Sequence, residues 1–171
     1  MIPACKLTRA GYESADYSVV RKSGSFEIRD YPTLVVVSAP ISATSASSDN
    51  GFRQLFRYIS GNNEAQQKIA MTTPVFSDQE GPDRKMSFVV PVDVASKGPP
   101  RAKSEEVILE SRRSGRFAVY RFSGGRNPDR VRGARLKLDE WMKSEKLTPS
   151  GEVVLANYDP PFTPAFLRRN E

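Results

Sequence analysis

Arg53 and Arg57 lie four residues apart within an apolar stretch of the sequence. The apolar residues of this stretch fall on one face of a helix, at positions i, i+3, i+4 and i+7: Phe52, Leu55, Phe56 and Ile59. A guanidinium group binds a carboxylate through two parallel hydrogen bonds. The pattern would suit a flat amphipathic ligand with carboxylates at one edge. The alternative, which periodicity alone favours, is that the stripe only packs on a sheet while the arginines face water.

The absence of histidine excludes several kinds of chemistry. Without it there is no Ser-His-Asp or Cys-His arrangement and no His-rich metal site. Cys5 is the only cysteine, so an internal disulfide is excluded, and an inert thiol is favoured over a metal ligand. Paired carboxylates occur at Glu105-Glu106 and Asp139-Glu140, but in segments that read as exposed. The residues therefore favour a binding protein over an enzyme.

The net charge of +6 is concentrated in one part of the chain. Residues 101–150 contain 13 Lys and Arg against 7 Asp and Glu, and the remainder is balanced. Such a basic segment attracts nucleic acid, an acidic protein or a carboxylate ligand, or is simply a solvated face. There is no zinc-finger spacing, aromatic RNA-binding signature or basic zipper. We therefore expect no nucleic acid, and an acidic protein partner stays open.

Length and hydropathy predict one domain without a membrane span. A chain of 171 residues fits a single domain, which we place at 16–171 after a flexible N-terminus at 1–15. No apolar run approaches the roughly 18 residues that a membrane helix needs. The first residues lack the apolar core of a signal peptide. We therefore expect a cytoplasmic protein.

The first half of the chain reads as hairpin, helix and strand. A hairpin is predicted around Ser23-Gly24-Ser25, with Phe26 and Ile28 on the buried face of its second strand and Glu27 and Arg29 on the other. The strand "TLVVVSAPIS" follows. The helix that carries Arg53 and Arg57 begins near Ser48 or Asp49 and stops at Gly61-Asn62-Asn63. "IAMTTPVF" then returns to the sheet and pairs with "KMSFVVPV".

The second half repeats this order after the Pro/Gly/Lys linker "VASKGPPRAKS". Two strands flank a turn at Ser114-Gly115, and a helix opens at Asn127-Pro128-Asp129. Its apolar stripe is Val131, Ala134, Leu138, Trp141 and Met142. The halves, about 16–95 and 104–171, predict an α+β domain of two helices on a mainly antiparallel sheet of about eight strands. Such a duplication leaves a groove between sheet and helices.

Four segments of the sequence resemble the SOUL haem-binding protein family. They are "FEIRDYP", "GFRQLFRYISGNNEAQQKIAMTTPV", "FVVP" and "YDPPFTPAFLRRNE", in the order and spacing of the family. The resemblance covers the chain from Tyr17 to Glu171. It implies a distorted eight-stranded antiparallel β-barrel with two flanking helices, built from two pseudo-symmetric halves. Effector-binding domains of bacterial regulators share this architecture.

The resemblance also implies a ligand. Family members bind haem or other tetrapyrroles in a shallow apolar groove along the first helix, as a carrier, buffer or sensor would. The corresponding cofactor-binding residues here are Phe52, Arg53, Leu55, Phe56, Arg57 and Met71. Arg57 stands where a lysine of the family meets a propionate. Asp49 replaces a second basic residue of the family, and Arg53 is placed to compensate for it.

The axial ligand of a bound haem iron stays open. Histidine has been proposed for some family members, and this chain has none. Haem iron also accepts Met, Cys or Tyr, so the candidates are Met71, a tyrosine, Cys5 or no protein ligand. We expect a haem held by apolar contact without strong axial ligation. Met71 is a weak candidate ligand and is interpreted first as a wall of the groove.

Two functions of other classes stay open beside tetrapyrrole binding. One is a protein–protein interaction module that docks through its basic second half. The other is an enzyme that acts on a porphyrin or another hydrophobic small molecule. For that enzyme, Glu64 and Tyr58 are the nearby acid–base candidates.

Overall fold

The computed structural model describes residues 11–41, 49–125, 127–151, 153–160 and 162–171. The helices in these residues are α1 (Asp49–Ile59), α2 (Val92–Lys97) and α3 (Pro128–Ser144). The strands are β1 (Glu13–Ser14), β2 (Ser18–Ser23), β3 (Phe26–Tyr31), β4 (Leu34–Pro40), β5 (Thr72–Thr73), β6 (Val75–Asp78), β7 (Lys85–Val89), β8 (Ile108–Arg112), β9 (Gly115–Tyr120), β10 (Phe122–Ser123), β11 (Val154–Asn157) and β12 (Arg169–Asn170). A short 3₁₀ helix spans Ala165–Leu167.

The described strands form three sheets. A seven-stranded sheet has the order β10-β12-β11-β6-β7-β4-β8, and a three-stranded sheet has the order β2-β3-β9. All pairings in both sheets are antiparallel, whereas β1 and β5 form a separate parallel pair. The α+β class is confirmed. No closed barrel is detected in the described part of the chain, and the eight-stranded barrel stays a prediction.

Local sequence signals placed most elements of the first half. The hairpin of β2 and β3 turns at Gly24, whose φ of +58° suits a residue without a side chain. Helix α1 ends as expected before Gly61, which has a φ of +109°. Asn63 fixes this end, since its buried amide donates to the carbonyl oxygens of Tyr58 and Gln67. The proposed N-cap at Ser48 lies outside the described residues.

Two expectations change in the structure. The linker "VASKGPPRAKS" begins inside helix α2, which follows Pro91 and buries Val94 in the core. The strands on either side of Ser114 do not pair with each other, because β8 joins β4 while β9 joins β3. Strand β1 pairs with β5 and Ala15 is buried, while the domain bounds of 16–171 stay a prediction.

Strand β3 buries both of its faces, contrary to the predicted alternation. Glu27 and Arg29 were expected to face outward, yet Arg29 is only 1% exposed. The reason is tertiary: the residues after β11 return over this face and bring Glu171 against Arg29. Alternating apolar residues show that one face of a strand is buried. They do not show that a distant segment also covers the opposite face when its residues are polar.

The main apolar core lies between helix α1 and the strands β4 and β7. Its buried members include Val37 of β4, Leu55 and Ile59 of α1, and Phe88 of β7. A second cluster packs on the other side of β4, around Val36. Within the described residues, no helix is long and apolar enough to cross a membrane.

Candidate functional site

Helix α1 presents a basic aromatic surface, which we call the α1 face: Phe52, Arg53, Phe56 and Arg57. The rings of Phe52 and Phe56 are stacked with centroids 6.0 Å apart, and Phe52 also meets Phe88 edge-on at 5.3 Å. Phe56 is 51% exposed, which is unusual for a phenylalanine. The guanidinium groups of Arg53 and Arg57 are exposed. No acid whose side chain the structure describes lies within ion-pair distance of either arginine.

The rest of the α1 stripe packs inside the protein. Leu55 is 0% exposed and Ile59 is buried beside it. The members of the stripe therefore divide between core and surface. Leu55 supports the helix from below, and Phe56 lies on the solvent side.

Met71 lies at the edge of the same core cluster. Its side chain is half-buried and packs against the cluster that contains Leu55, as does Phe52. The next residue, Thr72, donates its hydroxyl to the carbonyl oxygen of Val89 at 2.5 Å. The Thr73–Pro74 peptide bond that follows is cis. Phe52 and Met71 thus pack against the same core cluster, and Met71 directly precedes strand β5.

The two acid–base candidates lie in different environments. Tyr58 is buried, and its hydroxyl donates to the carbonyl oxygen of Pro100 at 2.7 Å. Burial raises the pKa of Tyr58 to about 12. Glu64 is exposed in the segment after the helix. The side chain of Tyr58 therefore supports the core, and that of Glu64 faces solvent.

A concave site lies beneath helix α3, with lining residues from both halves of the chain. This α3 groove has a volume of about 1030 Å³. Its lining includes the following apolar residues from β3, β4, β6, β9 and α3: Ile28, Leu34, Phe76, Phe117, Leu138 and Met142. The sequence predicted a groove between sheet and helices but placed the ligand site along α1, because periodicity gives the apolar face of a helix but not its distance from the sheet.

Five arginines border the α3 groove: Arg21, Arg112, Arg113, Arg116 and Arg135. Three of them are ion-paired: Arg21 to Glu145 at 2.8 Å, Arg116 to Asp30 at 2.7 Å, and Arg135 to Glu80 at 2.8 Å. The guanidinium carbon of Arg112 lies 4.7 Å from the centre of the Phe76 ring. Within the described chain, Arg112 and Arg113 have no carboxylate at ion-pair distance.

A buried ionic network closes the groove near the end of β12. Arg29 donates to both carboxylate oxygens of Glu171, at 2.6 and 2.9 Å, and to Glu27 at 2.7 Å. Arg169 donates to the same carboxylate at 2.5 and 2.8 Å, and the hydroxyl of Tyr158 donates at 2.8 Å. The carboxylate of Glu171 is therefore held by three side chains. The signal for this network was the "RRNE" segment, which local patterns did not connect to β3.

The network shifts the ionisation of its members. Burial opposes the charge on Glu171, but hydrogen bonds from Arg29 and Tyr158 and the charges of Arg29 and Arg169 outweigh it and lower its pKa. Burial, together with the charge of Glu171, raises the pKa of Tyr158. The carboxylate is thus ionised at neutral pH and matched by two guanidinium groups.

In the described residues, no group of three His, Cys, Asp or Glu side chains is arranged to hold a metal ion.

The family profile and the relatives found by sequence comparison agree with each other. The profile of a family described as "SOUL heme-binding protein" matches residues 12–171. Human heme-binding protein 2 is 34% identical over 109 residues, which are 59% of this chain and 53% of the relative. The mouse protein of the same name is 29% identical over 148 residues, 81% of this chain and 72% of the relative. The chain thus spans about half the length of the human relative that it matches.

Solved structures share the fold at low sequence identity. A protein described as a hydrolase from Listeria innocua has a TM-score of 0.61 at 10% identity, over 88% of this chain and 91% of that one. The C-terminal domain of EcmrR has a TM-score of 0.56 at 11% identity, over 90% and 93% of the two chains. At such identities the likeness concerns the fold alone.

Proposed function

Because the chain belongs to the SOUL haem-binding protein family, we propose that it binds haem or another tetrapyrrole as a carrier, buffer or sensor. The α1 face is the proposed site. The observation that carries this assignment is the half-exposed ring of Phe56 beside two guanidinium groups without a protein carboxylate partner among the described residues.

The side chains of the α1 face suit both parts of a tetrapyrrole. The stacked rings of Phe52 and Phe56 offer apolar and aromatic contact to a flat macrocycle. Arg53 and Arg57 are one helical turn apart, so both reach the same edge of a ligand on this face. Each guanidinium binds one carboxylate in a bidentate manner. The residues present therefore fit the group, with the propionates at the arginines.

A bound haem would supply a ferric or ferrous iron, and Met71 is the candidate for a weak axial ligand. Its thioether is half-buried against the core that supports α1. Thioether sulfur ligates haem iron in some proteins. The proposed binding does not depend on such a bond, since apolar contact and the two arginines provide the affinity.

Titration with ferric haem, followed by absorbance in the Soret region, tests the proposal. We expect saturation at one haem per chain. Arg57→Glu should weaken binding about tenfold or more, because it replaces an attraction for a propionate with a repulsion. Arg121→Glu is the matched control, since Arg121 is also exposed but follows β9 on the other half of the chain.

Absence of a Soret change at micromolar protein would contradict haem binding. Equal weakening by Arg57→Glu and Arg121→Glu would remove the α1 face as its location and leave a general charge effect. Phe56→Ser provides an independent check without any change of charge. Met71→Leu tests ligation separately, because only a bonded sulfur would shift the band positions of the bound haem.

A further inference from the structure

We infer that the α3 groove is a second ligand site, which takes a long-chain fatty carboxylate with its head group at Arg112 and Arg113. This inference goes beyond the proposed tetrapyrrole binding and uses different residues. It rests on the size of the groove, on the lack of buried side chains in α3, and on the position of the two arginines.

The size of the α3 groove is that of a small-molecule site. Binding pockets typically have about 300–1,000 Å³ and a mainly apolar lining with a few polar groups. The α3 groove has about 1030 Å³ and is lined by aromatic and aliphatic side chains of both sheets. A ligand there would be covered on one side by the strands and on the other by α3.

Helix α3 lacks the buried side chains that usually hold a helix on a sheet. None of its 17 residues, all of which lie in the described part of the chain, is buried. Its inward apolar residues Val131, Leu138 and Met142 are only half-buried and line the groove. Apolar surface left in contact with water costs roughly 25 cal/mol per Å². An apolar ligand would remove this exposure on the helix and the sheet together.

Contacts at its margins hold α3 on the sheet. Trp141 stacks on Phe26 with centroids 4.9 Å apart, and Arg21 joins Glu145 beside it. Farther along the helix, Arg135 bridges to Glu80 in the turn after β6. Arg21, Arg135 and Glu145 also line the groove, so these contacts fix α3 at its border.

The charges around the groove select a carboxylate at one end. Arg21, Arg116 and Arg135 already have acidic partners. Arg112 and Arg113 both line the groove and form no salt bridge in the described chain, although the charge of Arg112 contributes to the lowered pKa of Glu110. A single carboxylate would satisfy both, since each guanidinium offers parallel donors.

The distance along β9 favours an elongated ligand. Arg113 comes just before β9, which begins at Gly115, whereas Trp141 and Phe26 cluster with Tyr120 at the other end of the strand. Five residue steps along a strand span about 17 Å. The groove therefore has arginines at one end and aromatic rings at the other. The distance between these ends is about the length of an extended acyl chain. A molecule with one head group and a long apolar tail matches this arrangement.

Displacement of a fluorescent fatty-acid analogue by oleate tests the inference on the full chain. Trp141 is the sole tryptophan and lies on α3, so energy transfer from it reports binding near the groove. We expect saturable binding of one analogue per chain, displaced by oleate at micromolar concentration. Oleyl alcohol has the same tail without the charge and should displace it at least tenfold less well.

Two variants and a control locate the site. Arg112→Glu/Arg113→Glu should weaken oleate binding at least tenfold, and Ala134→Phe should reduce it by occupying the groove. Arg121→Glu should bind oleate as the unmodified protein does. Far-ultraviolet circular dichroism and the melting temperature verify that each variant is folded. The double arginine variant changes side chains only at the surface end of the groove. It therefore provides the test if Ala134→Phe does not fold.

Failure of this inference is distinguishable from failure of haem binding. Lack of saturable oleate binding, or equal displacement by oleate and oleyl alcohol, would overturn the fatty carboxylate site while leaving the Soret titration unaffected. Displacement of the analogue by haem but not by oleate would also overturn it and would move the tetrapyrrole site to the α3 groove. Oleate binding that is unaffected by Phe56→Ser or Arg57→Glu would support two separate sites.

Discussion

Helices α1 and α3, one from each predicted half of the chain, meet their sheets differently. Helix α1 buries Leu55, Tyr58 and Ile59, so that its underside is closed. Helix α3 is six residues longer and buries none of its side chains. An amphipathic pattern is present in both. Its presence therefore does not decide whether a helix completes a core or roofs a groove.

The side chains on the two helices give a physical reason for the difference. The underside of α1 carries large residues that interlock with Phe88 and Val37 of the sheet. The corresponding stripe of α3 includes Ala134, next to Gly133, and these small residues leave space. Ion pairs and an aromatic stack then hold the margins of α3. The first helix is fixed by its centre and the second by its edges.

Truncation of one leucine in each helix is the strongest test of this comparison. Leu55→Ala should lower the free energy of unfolding by about 2–5 kcal/mol, because it leaves a cavity in a closed core. Leu138→Ala should cost less than about 1.5 kcal/mol, since its side chain already borders an open groove. Urea denaturation measures both. Equal losses would show that α3 is packed as tightly as α1.

The buried network beside the groove should make the second half sensitive to acid. Glu171→Gln should cost about 1.5–3 kcal/mol at pH 7, because hydrogen bonds from Arg29 and Arg169 to a charged group are lost. The folded-state pKa of Glu171 lies below its ordinary value of 4.5, so its contribution is present above that pH and is lost as the pH falls through the lowered value.

Urea denaturation between pH 7 and pH 3 checks the sign of this effect. The difference in unfolding free energy between the unmodified protein and Glu171→Gln should shrink as the pH falls. A constant difference would mean that the charge of Glu171 is not what stabilises the network. Leu55→Ala is a useful reference here, because its cost involves no titratable group.

Removal of the Tyr58 hydroxyl is a smaller test of the closed side of the protein. Tyr58→Phe should cost about 0.5–1.5 kcal/mol, the net value of one hydrogen bond, here to the carbonyl oxygen of Pro100. Haem affinity should stay the same, because this hydroxyl lies beneath α1 rather than on the α1 face. Loss of haem binding or of any porphyrin turnover in this variant would instead assign Tyr58 to the site.

The arginines of the two helices provide the smallest expected effect. Arg57→Ala should change the free energy of unfolding by less than about 0.5 kcal/mol, since Arg57 has no ionic partner among the described residues. Arg135→Ala should cost up to about 1 kcal/mol, because Arg135 is paired with Glu80 and Asp139 at a partly exposed site. A larger loss for Arg57→Ala would show that this arginine supports the fold rather than a ligand.

Several features of the site could be predicted from the amino-acid sequence alone. The spacing from Phe52 to Ile59 located α1, and Gly61 marked its end. Motifs such as "FEIRDYP" and "LRRNE" indicated the family, whose profile matches residues 12–171. The assignment of the α1 face as the haem site stays a proposal. These features can be predicted from the sequence because they depend on residues that are close together in the chain or on whole motifs.

The sequence by itself determined the apolar faces, the positions of α1 and α3, the absence of histidine chemistry and the family resemblance. The tertiary structure alone decided that β8 and β9 join different sheets, that Arg29 lies buried against Glu171, and that α3 roofs a groove. Each of these depends on contacts between residues far apart in the chain. Local periodicity records which side chains are apolar, whereas the partner and the distance of each surface follow from how all the elements pack together.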